Sequence, residues 1–381
     1  MKKQMNEARG VPEHITSYAK VLFDKVLENL KNNKFKGALD QHSTIINIPI
    51  KFIEDSKLVE INEIKIDINF DFYSSSDIEN IIKSNPKIKT KNDDLLLTGM
   101  GMNFEVDREF TKNNNFKIDK NETPILQINF LANEDANNIE DSLYNLFNDN
   151  YDEFLSSFGH EIMHHITMQA KGEDDIALRA KYIVVANSRK VTNTNTLNDF
   201  VFNLYYLTSI ENIVRPSEFK TFLDSKRITK KQFLQSYYDS NMYKKFNICE
   251  NIKYEDLYNN LDKDLTLMFD TKIYNDNTKN IIILAVLEET LTNMITEGGK
   301  FLKQVIKEKM PNAPLNKLAK VFVKKFDTFI RRHLFIKFYP DKSINSEKTF
   351  KAIIKDMNIT AIKMKKKIAK LYEDIPYNYE S

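Results

Sequence analysis

Ile64, Ile66, Ile68, Phe70 and Phe72 alternate with Lys65, Asp67, Asn69 and Asp71. That period of two requires a strand with one apolar face and one wetted face. Ile46, Ile48, Ile50 and Phe52 alternate just before it, and Pro49, which has no N–H to give a ladder, calls for an edge position or a bulge there. Leu95 to Asp107 reads as a further strand loosened by Gly99 and Gly101, Asn113 to Asn115 as a loop tip, and Pro124 to Leu131 as the last strand. Around these strands the apolar spacing is helical. Val11 to Asn33 carries the stripe Ile15, Tyr18, Leu22, Val26 and Leu30, and a short helix is expected at about Asn138 to Phe147. Tyr151 to Ala170 is a longer helix, Gly172 to Asp175 a stop and acidic loop, Ile176 to Val185 a helix, and Asn187 to Asn195 a polar connector. Leu197 to Val214 is helical in period, with Pro216 expected to end or kink it. Beyond Ser217 only helices are expected, most clearly Asn280 to Met310 and Leu315 to Lys337. The fold class is therefore α+β, a small-sheet region (1–220) followed by an all-helical, lysine-rich region (221–381).

Bulk chemistry narrows the function classes. With 41% hydrophobic and 29% charged residues the chain has the balance of a globular protein. A single cysteine, Cys249, excludes an internal disulfide framework and a cysteine-built zinc site, and reads as a packed small hydrophobe. Met1 to Gly10 is polar and charged, without the pattern of a secretory signal, and the longest apolar run, Ile281 to Leu287, is too short to cross a bilayer. The expected location is cytoplasmic, with no membrane partner. A net charge of +2 conceals an asymmetry: Lys300 to Lys370 holds twenty Lys and Arg against five Asp and Glu, so the rest is net acidic. Either those lysines solvate outer helix faces, or they meet an anionic partner, nucleic acid or an acidic protein surface.

The helix from Tyr151 contains His160-Glu161-Ile162-Met163-His164, and three of the six histidines of the chain fall there (His160, His164, His165). Histidines four apart stand one above the other on a helix face, where both imidazoles can meet one divalent ion and the intervening glutamate can reach a water on it. Phe154, Phe158, Ile162 and Ile166 form a stripe for a core, and Ser157, His160, Glu161, His164 and Met168 form another for a cleft. Gly159, without a side chain, would let a strand or a substrate come close. Catalytic zinc takes three protein ligands and keeps a position for water. A carboxylate from a later helix is the expected third ligand: Glu211 first, Glu218 in reserve because Pro216 would turn it off the same face, and Glu173 in a loop as a further option. Thr208-Ser209-Ile210-Glu211 also spells a capping box, in which Glu211 would serve only a backbone N–H. His165 points away from His164 and reads as a packed histidine, and His333 as surface. Tyr205 and Tyr206 are either oxyanion donors or core aromatics, and Arg215 either orients a carboxylate or substrate or solvates a helix end.

His160, Glu161 and His164, followed by Glu211 on a later helix, resemble the zincin metallopeptidases of the gluzincin type. Tyr206 to Arg215 is similar to a Tyr-x4-Glu-x-x-Ala-Arg pattern of uncharacterised bacterial and phage His-Glu-x-x-His proteins, with Val214 where alanine is usual. Glu211 lies 47 residues beyond His164, a longer spacer than in compact members. The resemblance implies a zincin-like N-terminal part, with a sheet whose edge strand binds extended peptide before the motif helix; Pro124 to Leu131 is the expected edge. It implies Zn2+ held by His160, His164 and Glu211, Glu161 as general base in peptide hydrolysis, and, from its phage members, association with a virion. Because both histidines must be neutral, activity is expected to fall on acidification through about pH 6. The alternative is a structural or nucleic-acid-associated protein with a basic helical region and a non-catalytic site.

Overall fold

The computed structural model describes residues 14–54, 57–84, 94–103, 123–136, 138–171, 194–268, 276–309 and 346–375. Helix α1 (Ile15–Lys31) leads into β1 (Lys36–Ala38), β2 (Gln41–Glu54) and β3 (Lys57–Tyr73), followed by α2 (Ser75–Ser84), β4 (Leu95–Asn103) and β5 (Ile125–Asn133). Then come α3 (Ile139–Asp149), α4 (Tyr151–Lys171), α5 (Asn195–Tyr206), α6 (Ser209–Ser225), α7 (Lys230–Asp239) and α8 (Asn241–Asn251). The order closes with α9 (Tyr254–Met268), α10 (Asp276–Lys309) and α11 (Ser346–Ala369). The chain is thus α+β and mostly helical, and no strand follows β5 among the described residues. The expected helices 176–185 and 315–337, the acidic loop with Glu173, the loop tip at 113–115, nearly all of the connector 187–195 and His333 lie outside the described residues. No described helix is long and apolar enough to cross a membrane.

The five strands order β1-β2-β3-β5-β4; β3 and β5 run parallel and the other pairs antiparallel. Alternation sends Ile64, Ile66, Ile68 and Phe70 of β3 and Leu126, Ile128, Phe130 and Ala132 of β5 to one buried face. Helices α1, α3 and α4 cover that face and complete the first core. On the other face Asp67 accepts from Ser43 Oγ at 2.7 Å and from Lys65 Nζ at 2.9 Å, and Asn69 donates to Asn129 at 2.9 Å. The register of β2 against β3 shifts between Asn47 and Ile50, the bulge that Pro49 calls for.

One expectation is corrected here. Pro124 to Leu131 is not the edge: β5 lies between β3 and β4, and its four inward side chains are fully buried, as befits a strand paired on both sides. Pro124 stands just before the ladder, where its missing N–H costs no strand pairing. Among the described residues the edge on this side is β4, whose pairing with β5 shifts between Leu97 and Gly99.

The apolar period from Leu197 is also not one helix. It breaks at Leu207-Thr208 into α5 and α6, and Pro216 sits inside α6 instead of ending it. A proline there deprives the Asn212 carbonyl of its helical donor, and Lys367 Nζ from α11 donates to that oxygen at 3.3 Å. Residues of α5 to α11 form a second core around Phe200, Phe233, Phe246, Leu261, Leu287 and Phe350. Helix α6 belongs to both cores, with Val214 in the first and Phe219 and Leu223 in the second. Cys249 is buried in the second, and burial pushes its thiol up to about 12.

Candidate metal centre

Helix α4 starts with Asp152 and Glu153 in its first turn, where carboxylates favour the positive helix end. Phe154, Leu155, Phe158, Ile162, Met163 and Ile166 bury one side in the first core. His160, Glu161 and His164, also buried, face α6 and the last residues of β4. His165 packs on the core side at 1% exposure, where burial lowers its pKa to about 4, so the packed reading of His165 is the right one.

Gly159 serves neither a strand nor a substrate, contrary to expectation. A Cβ at that position would lie 2.6 Å from Thr221 Oγ1 of α6, so the missing side chain lets the two helices close on each other. Ser156 Oγ, donating to the Glu218 carbonyl at 2.8 Å, ties the same pair.

That close packing brings Glu211 to the histidines. Thr208 caps α6 without a side-chain hydrogen bond, so no capping box forms and the Glu211 carboxylate turns inward. Its Oε2 lies 3.5 Å from His160 Nε2 and its Oε1 3.6 Å from His164 Nε2, while the two imidazole Nε2 atoms are 3.0 Å apart. Zinc bonds of about 2.0–2.2 Å in a tetrahedron space the donor atoms about 3.3–3.6 Å apart. The three buried donors lie near that spacing, and each pair of ligand atoms is within 4.8 Å. Glu211 Oε1 is moreover buried with no hydrogen-bond partner. An orphaned buried carboxylate oxygen beside the His164 imidazole is the acceptor that a cation would satisfy. The donor set therefore fits a divalent ion.

Arg215 and Glu218 complete the cluster one and two turns along α6. Arg215 donates through Nη2 to Glu211 Oε2 at 2.5 Å and through Nη1 to Glu218 Oε2 at 2.6 Å. Its guanidinium lies 4.1 Å from the centre of the Tyr206 ring. Glu218 Oε2 is also 2.9 Å from His160 Nδ1. Pro216 thus does not turn Glu218 off the face; Glu218 grips the far nitrogen of His160 instead of offering a third ligand. Tyr206 is a packed aromatic beneath Arg215, and burial pushes its hydroxyl pKa up, while Tyr205 is half-buried. Of the two readings of Arg215, orienting a carboxylate is the one its contacts bear out.

The charges of this cluster hold one another in place. Burial works to raise the Glu211 pKa, but Arg215 and then His160 and His164 hold it well below the carboxylate range. Glu218 goes to about 2 against the same burial, again through Arg215 and His160. Burial and Arg215 press His160 down, yet its bonds to Glu211 and Glu218 outweigh them and carry it to about 9. Burial also works against the Arg215 charge, but Glu218 leads the groups that keep it ionised.

Glu161 has a separate partner. The Met102 backbone N–H of β4 donates to Glu161 Oε2 at 2.9 Å. The sequence carried no signal for this contact, because it joins an edge strand to a helix 59 residues on.

No family model, curated protein or solved structure matches this chain.

Proposed function

We propose that this chain is a zinc-dependent metallopeptidase of zincin layout, with His160, His164 and Glu211 as ligands and Glu161 as general base. The observation that carries this reading is the buried His160–His164–Glu211 group, with Glu161 on the same helix face beside the edge strand β4. Two histidines and a carboxylate with a fourth position left over are a donor set of catalytic zinc. The ion, when bound, supplies a Lewis acid and lowers the pKa of a water toward about 7.

The remaining work falls to the protein's own groups. Glu161 takes the proton of the attacking water and passes it to the leaving amine. Glu218 accepts from Nδ1–H of His160, which fixes the tautomer and leaves Nε2 for the ion. Edge strand β4, pairing antiparallel with β5, offers its outer margin to an extended peptide by strand addition.

Metal analysis of the purified chain together with cleavage of a peptide library tests the reading. One zinc per chain and zinc-dependent peptide hydrolysis are expected. Protein that takes up no metal, and cleaves nothing with zinc added, rejects it.

A second reading has one observation in its favour. Lys355, Lys363, Lys366 and Lys370 are exposed on and just beyond α11, a basic face for an anionic partner such as nucleic acid. Binding there would weaken steeply with salt and disappear when these four are changed to serine. No binding of DNA or RNA at low salt removes this reading.

A further inference from the structure

Arg215 is placed more tightly than an ion pair needs. One guanidinium nitrogen is spent on Glu211 Oε2, another on Glu218 Oε2, and the group lies against the Tyr206 ring. Two of these partners lie on its own helix at i−4 and i+3, so the fork is held by the helix that carries Glu211. The two oxygens of Glu211 are consequently unequal: Oε2 accepts a short charged hydrogen bond, and Oε1 accepts none.

We infer that Arg215 is a positioning residue that fixes the way Glu211 meets the ion, retaining Oε2 so that Oε1 alone is offered to it. This rests on the metal-centre reading above and concerns the coordination mode that reading leaves open. A carboxylate free to turn can bind an ion through both oxygens and occupy the position a water needs. Here one guanidinium nitrogen holds Glu211 Oε2 while the other anchors the group on Glu218, so turning Oε2 toward an ion strains a charge-assisted bond in a buried site. Arg215 thereby protects the open coordination position on which hydrolysis depends. It also offsets the charge of one of the two carboxylates it touches, buried Glu211 and half-buried Glu218.

The test reads coordination and does not use activity. The full chain is loaded with cobalt(II) in place of zinc, and its visible spectrum and X-ray absorption are recorded. For the wild type, intense four-coordinate bands and a single carboxylate oxygen at bonding distance are expected. Arg215→Met combined with Glu218→Gln removes the fork and its second carboxylate together, so the net charge of the cluster is unchanged. Its bands are expected to weaken toward five-coordinate intensity, with a second carboxylate oxygen entering the shell. Its zinc affinity should fall by roughly 10–100-fold, as for other groups that orient ligands. Both Glu211 oxygens bound in the wild type, or a double variant with the wild-type spectrum, overturns the inference while leaving the metal reading intact. The wild-type measurement decides the question even where the double variant does not fold. A wild type that takes up no cobalt or zinc ends the metal reading, and the inference with it.

Discussion

The amide of Met102 donates to Oε2 of Glu161 at 2.9 Å, binding the end of the edge strand to the residue expected to move protons. Because this donor is backbone, Glu161→Gln can still accept it through its amide oxygen, whereas Glu161→Ala cannot. Glu161→Gln is therefore expected to keep its zinc and its thermal midpoint while losing peptide hydrolysis by about 10²–10⁴-fold, the usual share of a general base. Metal content, a melting curve and a peptide assay on the same preparation check all three. Hydrolysis within a few-fold of wild type would remove Glu161 from the chemistry.

Glu218 reaches the site only through the Nδ1 nitrogen of His160 and through Arg215. Glu218→Ala should weaken zinc binding by roughly 10–100-fold, measured by competition with a chromogenic chelator. Glu211→Ala, which removes a proposed ligand, should weaken it further. Equal affinities for the two variants would show that the present ligand assignment is wrong.

Gly159 admits α6 to α4. Gly159→Ala puts a methyl 2.6 Å from Thr221 Oγ1 and is expected to cost about 1–3 kcal/mol of stability in urea unfolding, as overpacking usually does. Thr221→Ala in the same chain removes both the oxygen and the methyl that the new group would strike, and should recover part of the loss. A neutral Gly159→Ala would mean that the two helices are less closely seated.

Cys249 has its thiol pushed up by burial to about 12, so the nucleophilic thiolate is scarce at working pH. A thiol-reactive chromophore at pH 8 should label the native chain very slowly and the urea-unfolded chain at once. Rapid labelling of the native protein would contradict the packing of the second core around it.

How much of this could be read beforehand depends on whether the cause was local. The alternation in β3, the stripe of α1 and the two faces of α4 follow from side-chain spacing within one segment, and all three were legible. So was Pro49, whose missing donor called for an edge position or a bulge, and the register shifts there. The edge of the sheet was not legible, because whether β5 or β4 lies outermost depends on pairings between segments and not on either strand's own pattern. That Pro216 does not end α6 was illegible for a related reason: its cost inside the helix is offset by Lys367, a residue 155 positions from the carbonyl it satisfies. At the centre, residue types and spacing named His160, Glu161 and His164 and favoured Glu211 without excluding a helix cap. Only the placement of α6 against α4 turns that carboxylate toward the imidazoles.

Helix α6 supplies Glu211 to the centre, Val214 to the sheet-side core and Phe219 to an aromatic cluster with Phe222, Phe233 and Tyr237. The carboxylate proposed as a ligand is therefore mounted on a shared beam. Melting of the helical half must dislodge it, and occupancy of the centre must in turn stiffen that half, by reciprocity of linked equilibria. Chelation alone should then lower the resistance of α7 and α8 to proteolysis, although neither helix supplies a ligand.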